Sequence, residues 1–243
     1  MGKKPLSLTF TGQAGFILET ASGYRIGIDL YLSDCCARLV GFKRLLPYLY
    51  DPRSLDLDVL VATHVHYDHF DPDAAPQILE NPKTRLVCSR DVPSEAQRLG
   101  IPAERITTLG EEEVFQNEHL RITAVPCDHG PETPYAIGLL IEVDGKRLYF
   151  TGDTCYRGDR FTEGRFQNLD VAVFPINGAY GNLNETEGAR AVGDMRPRLA
   201  IPSHYWCFAE HGGDPHKFQK EMEAHYPECP YLLMRLGETL EIT

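Results

Sequence analysis

The block Leu57-Asp58-Val59-Leu60-Val61-Ala62-Thr63 constrains the fold more than any other stretch of the chain. It is short, rich in β-branched residues and almost wholly apolar, the pattern of a strand covered on both faces. A strand of that kind belongs in a sheet with a further layer on each side. The first thirty residues read differently, as a meander with strands at Leu6 to Gly12, Phe16 to Glu19 and Tyr24 to Asp29 and turns at Gln13-Ala14-Gly15 and Ala21-Ser22-Gly23. A mixed, partly helical connection is expected from Arg38 to Tyr50. Beyond the buried strand, a helix is expected from an Asp71 cap to Leu79, a strand at Arg85 to Ser89, and a helix from Pro93 to Leu99 stopped by Gly100.

The second half repeats this grammar, with strands at Leu120 to Val125, Tyr135 to Val143, Arg147 to Thr151, Val171 to Pro175 and Leu199 to Pro202. Asp144-Gly145 between two of them signals a tight hairpin. Asn184-Glu185-Thr186-Glu187 carries a cap with Glu three residues on. Asp214-Pro215 opens another helix, with Phe218, Met222 and Tyr226 at helical spacing. A closing strand pair is expected around Gly237. Strands in runs, with helices interspersed in both halves, predict an α/β protein of packed sheets covered outside by helices. At 243 residues and 42% hydrophobic content, one domain over residues 1–243 suffices to bury such a core.

Composition narrows the function classes. A formal net charge of -11, with no block of Lys and Arg, opposes binding to a phosphate backbone, so nucleic acid is not expected as a partner. No apolar run of eighteen residues appears, and Met-Gly-Lys-Lys-Pro leads into a strand-like segment too short for a signal sequence. The expectation is a cytoplasmic protein without membrane association. The seven cysteines are odd in number and contain no C-x-x-C pair, so they are read as reduced thiols.

The chemistry is concentrated where the buried strand ends, in His64-Val65-His66-Tyr67-Asp68-His69. Four of these six side chains are metal ligands by type, and in a strand-end turn His64 and His66 converge on one ion while Asp68 and His69 approach a neighbouring one. Imidazole with carboxylate suits zinc, manganese or iron better than calcium, which takes oxygen throughout. A solvated histidine-rich loop is the plain alternative, and the density of ligand types after a buried strand argues against it. Three further candidates follow other expected strands: Asp128-His129, Gly152-Asp153 and Ser203-His204. A single His is more often structural, but a shared position at strand ends suits ligands that must be held rigidly. Seven ligand side chains result, the complement for two metals with open positions.

The uninterrupted His-x-His-x-Asp-His pattern resembles the metallo-β-lactamase superfamily, over nearly the whole chain. Gly12-Gln13-Ala14-Gly15-Phe16, Ile28-Asp29 with Tyr31-Leu32-Ser33-Asp34, Thr151-Gly152-Asp153-Thr154 and Pro175-Ile176-Asn177-Gly178 with Asn182 are similar to the branch that contains L-ascorbate-6-phosphate lactonase. The resemblance implies a four-layer αββα sandwich with the metals at one edge between the sheets. It implies His64, His66 and His129 on a first metal, Asp68, His69 and His204 on a second, and Asp153 bridging them. Zinc or manganese, one or two ions per chain, is the implied cofactor.

The expected activity is hydrolysis by metal-activated hydroxide of a lactone or ester-like bond in a small polar molecule, phosphorylated or not, with Asp68 also orienting the water. Substrate contacts are sought in Asn177 and Asn182 on a Gly-rich loop, in Tyr205 and Trp206 after His204, and in Arg157 and Arg160 for an anionic group. An ordinary turn, core packing and a solvated loop are the respective plain readings. Cys155 and Cys207 are read as apolar filling, and His211, His216 and His225 are left outside the site. The competing classes are a phosphodiesterase or nuclease, a di-iron redox protein, for which 243 residues leave no room for the usual flavin domain, and a non-catalytic metal binder. Homo-oligomerisation is left open.

Overall fold

The computed structural model describes residues 4–243. The first sheet opens with the expected meander, β1 (Leu6–Gly12), β2 (Gly15–Glu19) and β3 (Arg25–Ile28), all antiparallel. It then continues in parallel through β4 (Val59–Ala62), β5 (Arg85–Ser89) and β6 (Ile106–Leu109). The second sheet follows the same plan. An antiparallel part, β7 (Val114–Gln116), β8 (Leu120–Pro126), β9 (Ile137–Val143) and β10 (Lys146–Phe150), is extended in parallel by β11 (Val171–Pro175) and β12 (Ala200–Ser203). β13 (Thr239–Ile242) returns to pair with β1 on the edge of the first sheet.

Period-two alternation places the core. Phe10, Phe16, Leu18, Ile26, Val59 and Val61 of the first sheet face Ile122, Leu139, Ile141, Leu148 and Val171 of the second, all buried in one cluster between the sheets. The alternate residues point outward. Ile17, Leu60, Leu86 and Cys88 pack under α2 (Ala75–Ile78) and α3 (Val92–Arg98). Leu140, Tyr149, Ala172 and Phe174 pack under α4 (Gly158–Phe161), α5 (Glu185–Met195) and α6 (Pro215–His225). Three apolar interfaces separate four layers, giving the αββα sandwich. A one-residue slip of β8 would turn exposed Arg121 into the space between the sheets, so that strand's register is strongly specified.

Local signals account for most boundaries. Asp144 and Gly145 take φ of 50° and 76°, as a two-residue hairpin between β9 and β10 requires. Asn184 and Glu187 form a reciprocal capping box at the start of α5, and Asp214 caps α6 by accepting from His216 N.

Four expectations need correction. The mixed connection expected from Arg38 to Tyr50 is helical only at its start, where α1 (Cys35–Val40) is ended by Gly41 in the left-handed region, and no helix follows up to Tyr50. Asp71 does cap the turn that follows it, its carboxylate accepting from Asp73 N and Ala74 N as well as from Leu32 N and Ser33 Oγ, but the helix is shorter than expected, α2 running only from Ala75 to Ile78. The strand pair around Gly237 is absent because its two flanks go to different sheets, Tyr231 bridging Ala200 of β12 while Thr239 pairs with Thr9 of β1. The strands β6 and β7 were not expected; both lie at sheet edges and are short or half-exposed, which weakens their apolar pattern. All seven cysteines are free thiols, and among the described residues no helix is long and apolar enough to cross a membrane.

Candidate metal centre

The parallel parts of both sheets direct their carboxyl ends to one edge of the sandwich, and the candidate ligands sit there. Asp29 follows β3, the run from His64 to His69 follows β4, Asp153 follows β10 and His204 follows β12, while His129 comes from the loop after β8. The loops are pinned to one another across the sheets. Ile137 N donates to Thr63 O, Cys155 N to Asp128 O and His204 N to Gln13 O. Gly152 takes φ of 63°, and a Cβ there would lie 2.8 Å from Ile137 O, so only glycine lets the chain turn Asp153 into the site. His204, at φ 63°, adopts the left-handed region that non-glycine residues seldom occupy.

The structure brings all seven expected ligand side chains together. His64, His66 and His129 present one nitrogen each within 4.8 Å of one another; Asp68, His69 and His204 form a second such group, and His64, His69 and Asp153 join the two. His64 Nε2 lies 3.0 Å and His129 Nε2 3.2 Å from His66 Nδ1. His204 Nε2 lies 3.2 Å from Asp68 Oδ2 and 3.1 Å from Asp153 Oδ2, and His69 Nε2 lies 3.3 Å from Asp153 Oδ1. Ligand atoms about 2.1 Å from a shared cation stand about 3.0–3.4 Å apart, so the donor set has the spacing of a coordination shell.

The partners behind these atoms fix which nitrogen faces inward. Asp29 Oδ2 lies 2.8 Å from His69 Nδ1, which assigns a proton to Nδ1 and points Nε2 toward Asp68 and Asp153. Asp29 also accepts from Thr63 N at 2.8 Å and Thr63 Oγ1 at 2.6 Å, and Thr63 Oγ1 is 3.1 Å from His64 Nδ1. Gln13 Nε2 donates to Asp68 Oδ2 at 2.9 Å. Asn182 Nδ2 donates to Asp153 Oδ2 at 2.7 Å and to Asn177 Oδ1 at 3.0 Å, so Asn177 holds the residue that holds Asp153.

Electrostatics divides the cluster. Burial depresses the basicity of His64, His66 and His129, which stay neutral and available as donors. For His69 and His204, burial opposes the charge but Asp153 and Asp68 outweigh it, raising His69 well above its ordinary range and His204 to about 9. Burial likewise opposes ionisation of Asp68 and Asp153, and the neighbouring His69 and His204 overcome it and hold both carboxylates ionised. Two buried carboxylates are thus balanced by positive charge drawn onto imidazoles, the role a cation fulfils in a loaded site.

A cavity of about 680 Å³ opens above the cluster, lined by His66, Asp68, His129, Asp153, Asn182 and His204 and, toward the mouth, by Val40, Phe42, Val65, Tyr67, Pro131 and Tyr180. Several expected substrate contacts lie elsewhere. Arg157 is tied to Asp128 at 2.7 Å and to Asp159 at 3.3 Å, and neither it nor Arg160 lines the cavity, because the segment leading into α4 runs along the outer face of the second sheet. Tyr205 packs in the core beneath α5 and α6, and Trp206 stands 52% exposed at its edge; the left-handed turns at His204 and Trp206 carry the chain away from the cavity. Asn177 is buried behind Asn182.

Conversely, His211 does line the cavity, stacked at 8° on His204 with centroids 5.2 Å apart, and its buried Nε2 has no partner. It lies in a loop without periodicity, so only its nearness to His204 in sequence hinted at this. The supporting roles of Asp29 and Gln13 carried no local signal either, since they depend on contacts across 40 and 55 residues.

A family profile described as a beta-lactamase superfamily domain matches residues 30–205, from the residue after Asp29 to the one after His204. A protein of Aeropyrum pernix named UPF0173 metal-dependent hydrolase is 28% identical over 96% of both chains. Among solved structures, Igni18, a metallo hydrolase from Ignicoccus hospitalis, superposes with a TM-score of 0.76 at 25% identity over 98% of each chain. The metallo-beta-lactamase fold protein YhfI from Bacillus subtilis does so with 0.73 at 16% identity, covering 98% of this chain and all of that one. A match over most of the length, a fold shared with such structures and ligand types gathered at the edge of the sandwich lead to one assignment: the chain belongs to the metallo-β-lactamase superfamily.

Proposed function

We propose that the protein is a metal-dependent hydrolase that cleaves an ester or opens a lactone of a small molecule. The observation that carries this reading is the convergence of seven ligand atoms, in two adjoining groups, on the floor of a cavity large enough for a small substrate. His64, His66 and His129 would hold one divalent ion, Asp68, His69 and His204 a second, and Asp153 would face both. When bound, such an ion supplies Lewis acidity toward a substrate oxygen and brings a water's pKa toward neutrality. The metal-dependent hydrolase names of the relatives agree with this chemistry.

The protein's own groups have distinct tasks. Asp68 Oδ2, steered by Gln13 and open to the cavity, orients an attacking water and accepts its proton. Asn182 keeps Asp153 from rotating, and Asp29 keeps the His69 ring in place. No side-chain nucleophile is needed. Cys36 reaches the cavity, but its hydrogen bond to Cys35 and its burial push the thiol up, so it stays protonated and poorly nucleophilic. The phosphorylated substrate of the lactonase resemblance is not carried forward, because the arginines expected to receive it do not line the cavity.

The test is metal analysis of the purified protein followed by a hydrolysis screen of the zinc- and manganese-loaded forms against lactones, carboxylic esters, thioesters and phosphodiesters. Bound metal with lactone or ester turnover and no trapped acyl-enzyme is expected. Turnover of phosphodiesters alone, or undiminished turnover after complete metal removal, would overturn the assignment.

A further inference from the structure

We propose that the part of the substrate lying beyond the scissile bond is uncharged and apolar, an aromatic or branched hydrocarbon group held by the mouth of the cavity. The proposal rests on the hydrolase reading only in calling that molecule a substrate.

The wall of the cavity near its mouth is largely aromatic. Phe42, Tyr180 and His211, from three separate loops, pack as a mutual aromatic cluster with ring centroids 5.4, 5.1 and 5.1 Å apart. Val40 and Val65 extend this surface within the same cavity. Val40 and Tyr180 nevertheless remain 49% and 56% exposed, a continuous apolar surface left in water directly above the reactive floor. Covering it with a hydrocarbon group removes that surface from water, whereas a hydrated polar group would gain nothing from it.

Charge at the mouth favours the same kind of group. Apart from the candidate ligands and His211, the charged side chains lining the cavity are Glu95 and Glu132; among the described residues no Lys or Arg does so. Glu95 is held by Arg98 through contacts of 2.7 and 2.5 Å. Glu132 is exposed and has no ion pair among the described residues, so it meets an incoming anion as a like charge. A phosphate or carboxylate at the mouth would lose water against aromatic rings, find no countercharge and face Glu132.

The test uses N-benzylacetamide and its para-sulfonate derivative, the sulfonate being chosen as a weak metal ligand so that charge is probed at the mouth and not on the floor. Their binding to the zinc-loaded protein is measured by isothermal titration calorimetry, and kcat/KM is compared for the matching pair of benzyl acetates. The neutral member is expected to bind and react roughly tenfold better or more, and Glu132→Lys is expected to narrow the gap by improving the sulfonate. Equal or tighter binding of the sulfonate by the unaltered protein overturns the inference, whatever the turnover. Preferential binding of the neutral amide, with no ester or lactone cleaved, would sustain the apolar mouth while removing the hydrolase reading.

Discussion

The floor and the mouth of the cavity are built on opposite principles. On the floor the side chains are buried or half-buried, and three of them have a second residue behind them: Asp29 behind His69, Asn182 behind Asp153, Gln13 behind Asp68. At the mouth Val40 and Tyr180 are half in water, and Tyr180 sits at φ 56° on a loop. The floor thus has the preorganisation that chemistry requires, and the mouth has the adaptable apolar surface that recognition uses. In a single fold, the strand ends supply the first and the connecting loops the second.

The contrast is broken most forcefully at Asp153. Replacing it with Ala leaves His69 and His204 without the carboxylate they share, and metal content and hydrolysis should disappear together, with kcat/KM falling at least about a thousandfold. Elemental analysis of the variant beside its kinetics decides the point; a metal-replete but inactive protein would show that Asp153 acts in chemistry more than in loading. A smaller effect is expected one step back from the floor. Asp29→Ala removes the acceptor that fixes the His69 ring, so metal affinity measured by chelator competition should weaken about 10–100-fold. Asn at that position, which keeps an acceptor oxygen, should recover part of the loss, an outcome that mere destabilisation would not produce. The smallest change is expected at the mouth, where Phe42→Ala should raise KM for neutral aryl esters severalfold while kcat and bound metal stay constant. A fall in kcat or metal content in that variant would erase the distinction between the two regions.

What could be read from the sequence follows the range of the interactions involved. His64 to His69 stood out because four ligand side chains crowd six residues after a doubly buried strand, and Asp153 and His204 because each follows a strand with its own apolar pattern. The sandwich was legible for the same reason, alternation and apolar runs being local. Asp29 and Gln13 were visible as residues but their work was not, since it is done on side chains far along the chain. His211 was passed over because an isolated loop histidine offers no period to count. Tyr205 and Trp206 were misplaced for a conformational reason: two left-handed residues in three turn the chain about, and side chains give little warning of that. Arg157 was misjudged because one of its partners, Asp128, comes within reach only when the loop after β8 meets the loop after β10.

The division of the ligand set between the two halves of the chain has a consequence for biogenesis. Every ligand group needs at least one member from beyond residue 128: His129 in the first, Asp153 in the joining one, His204 in the second. A zinc knuckle can capture its ion from a short peptide, whereas under the proposed function each complete group here would form only after the second sheet has emerged and docked on the first. On that reading stoichiometric metal would report that both sheets have met, making metal content an assay of correct folding.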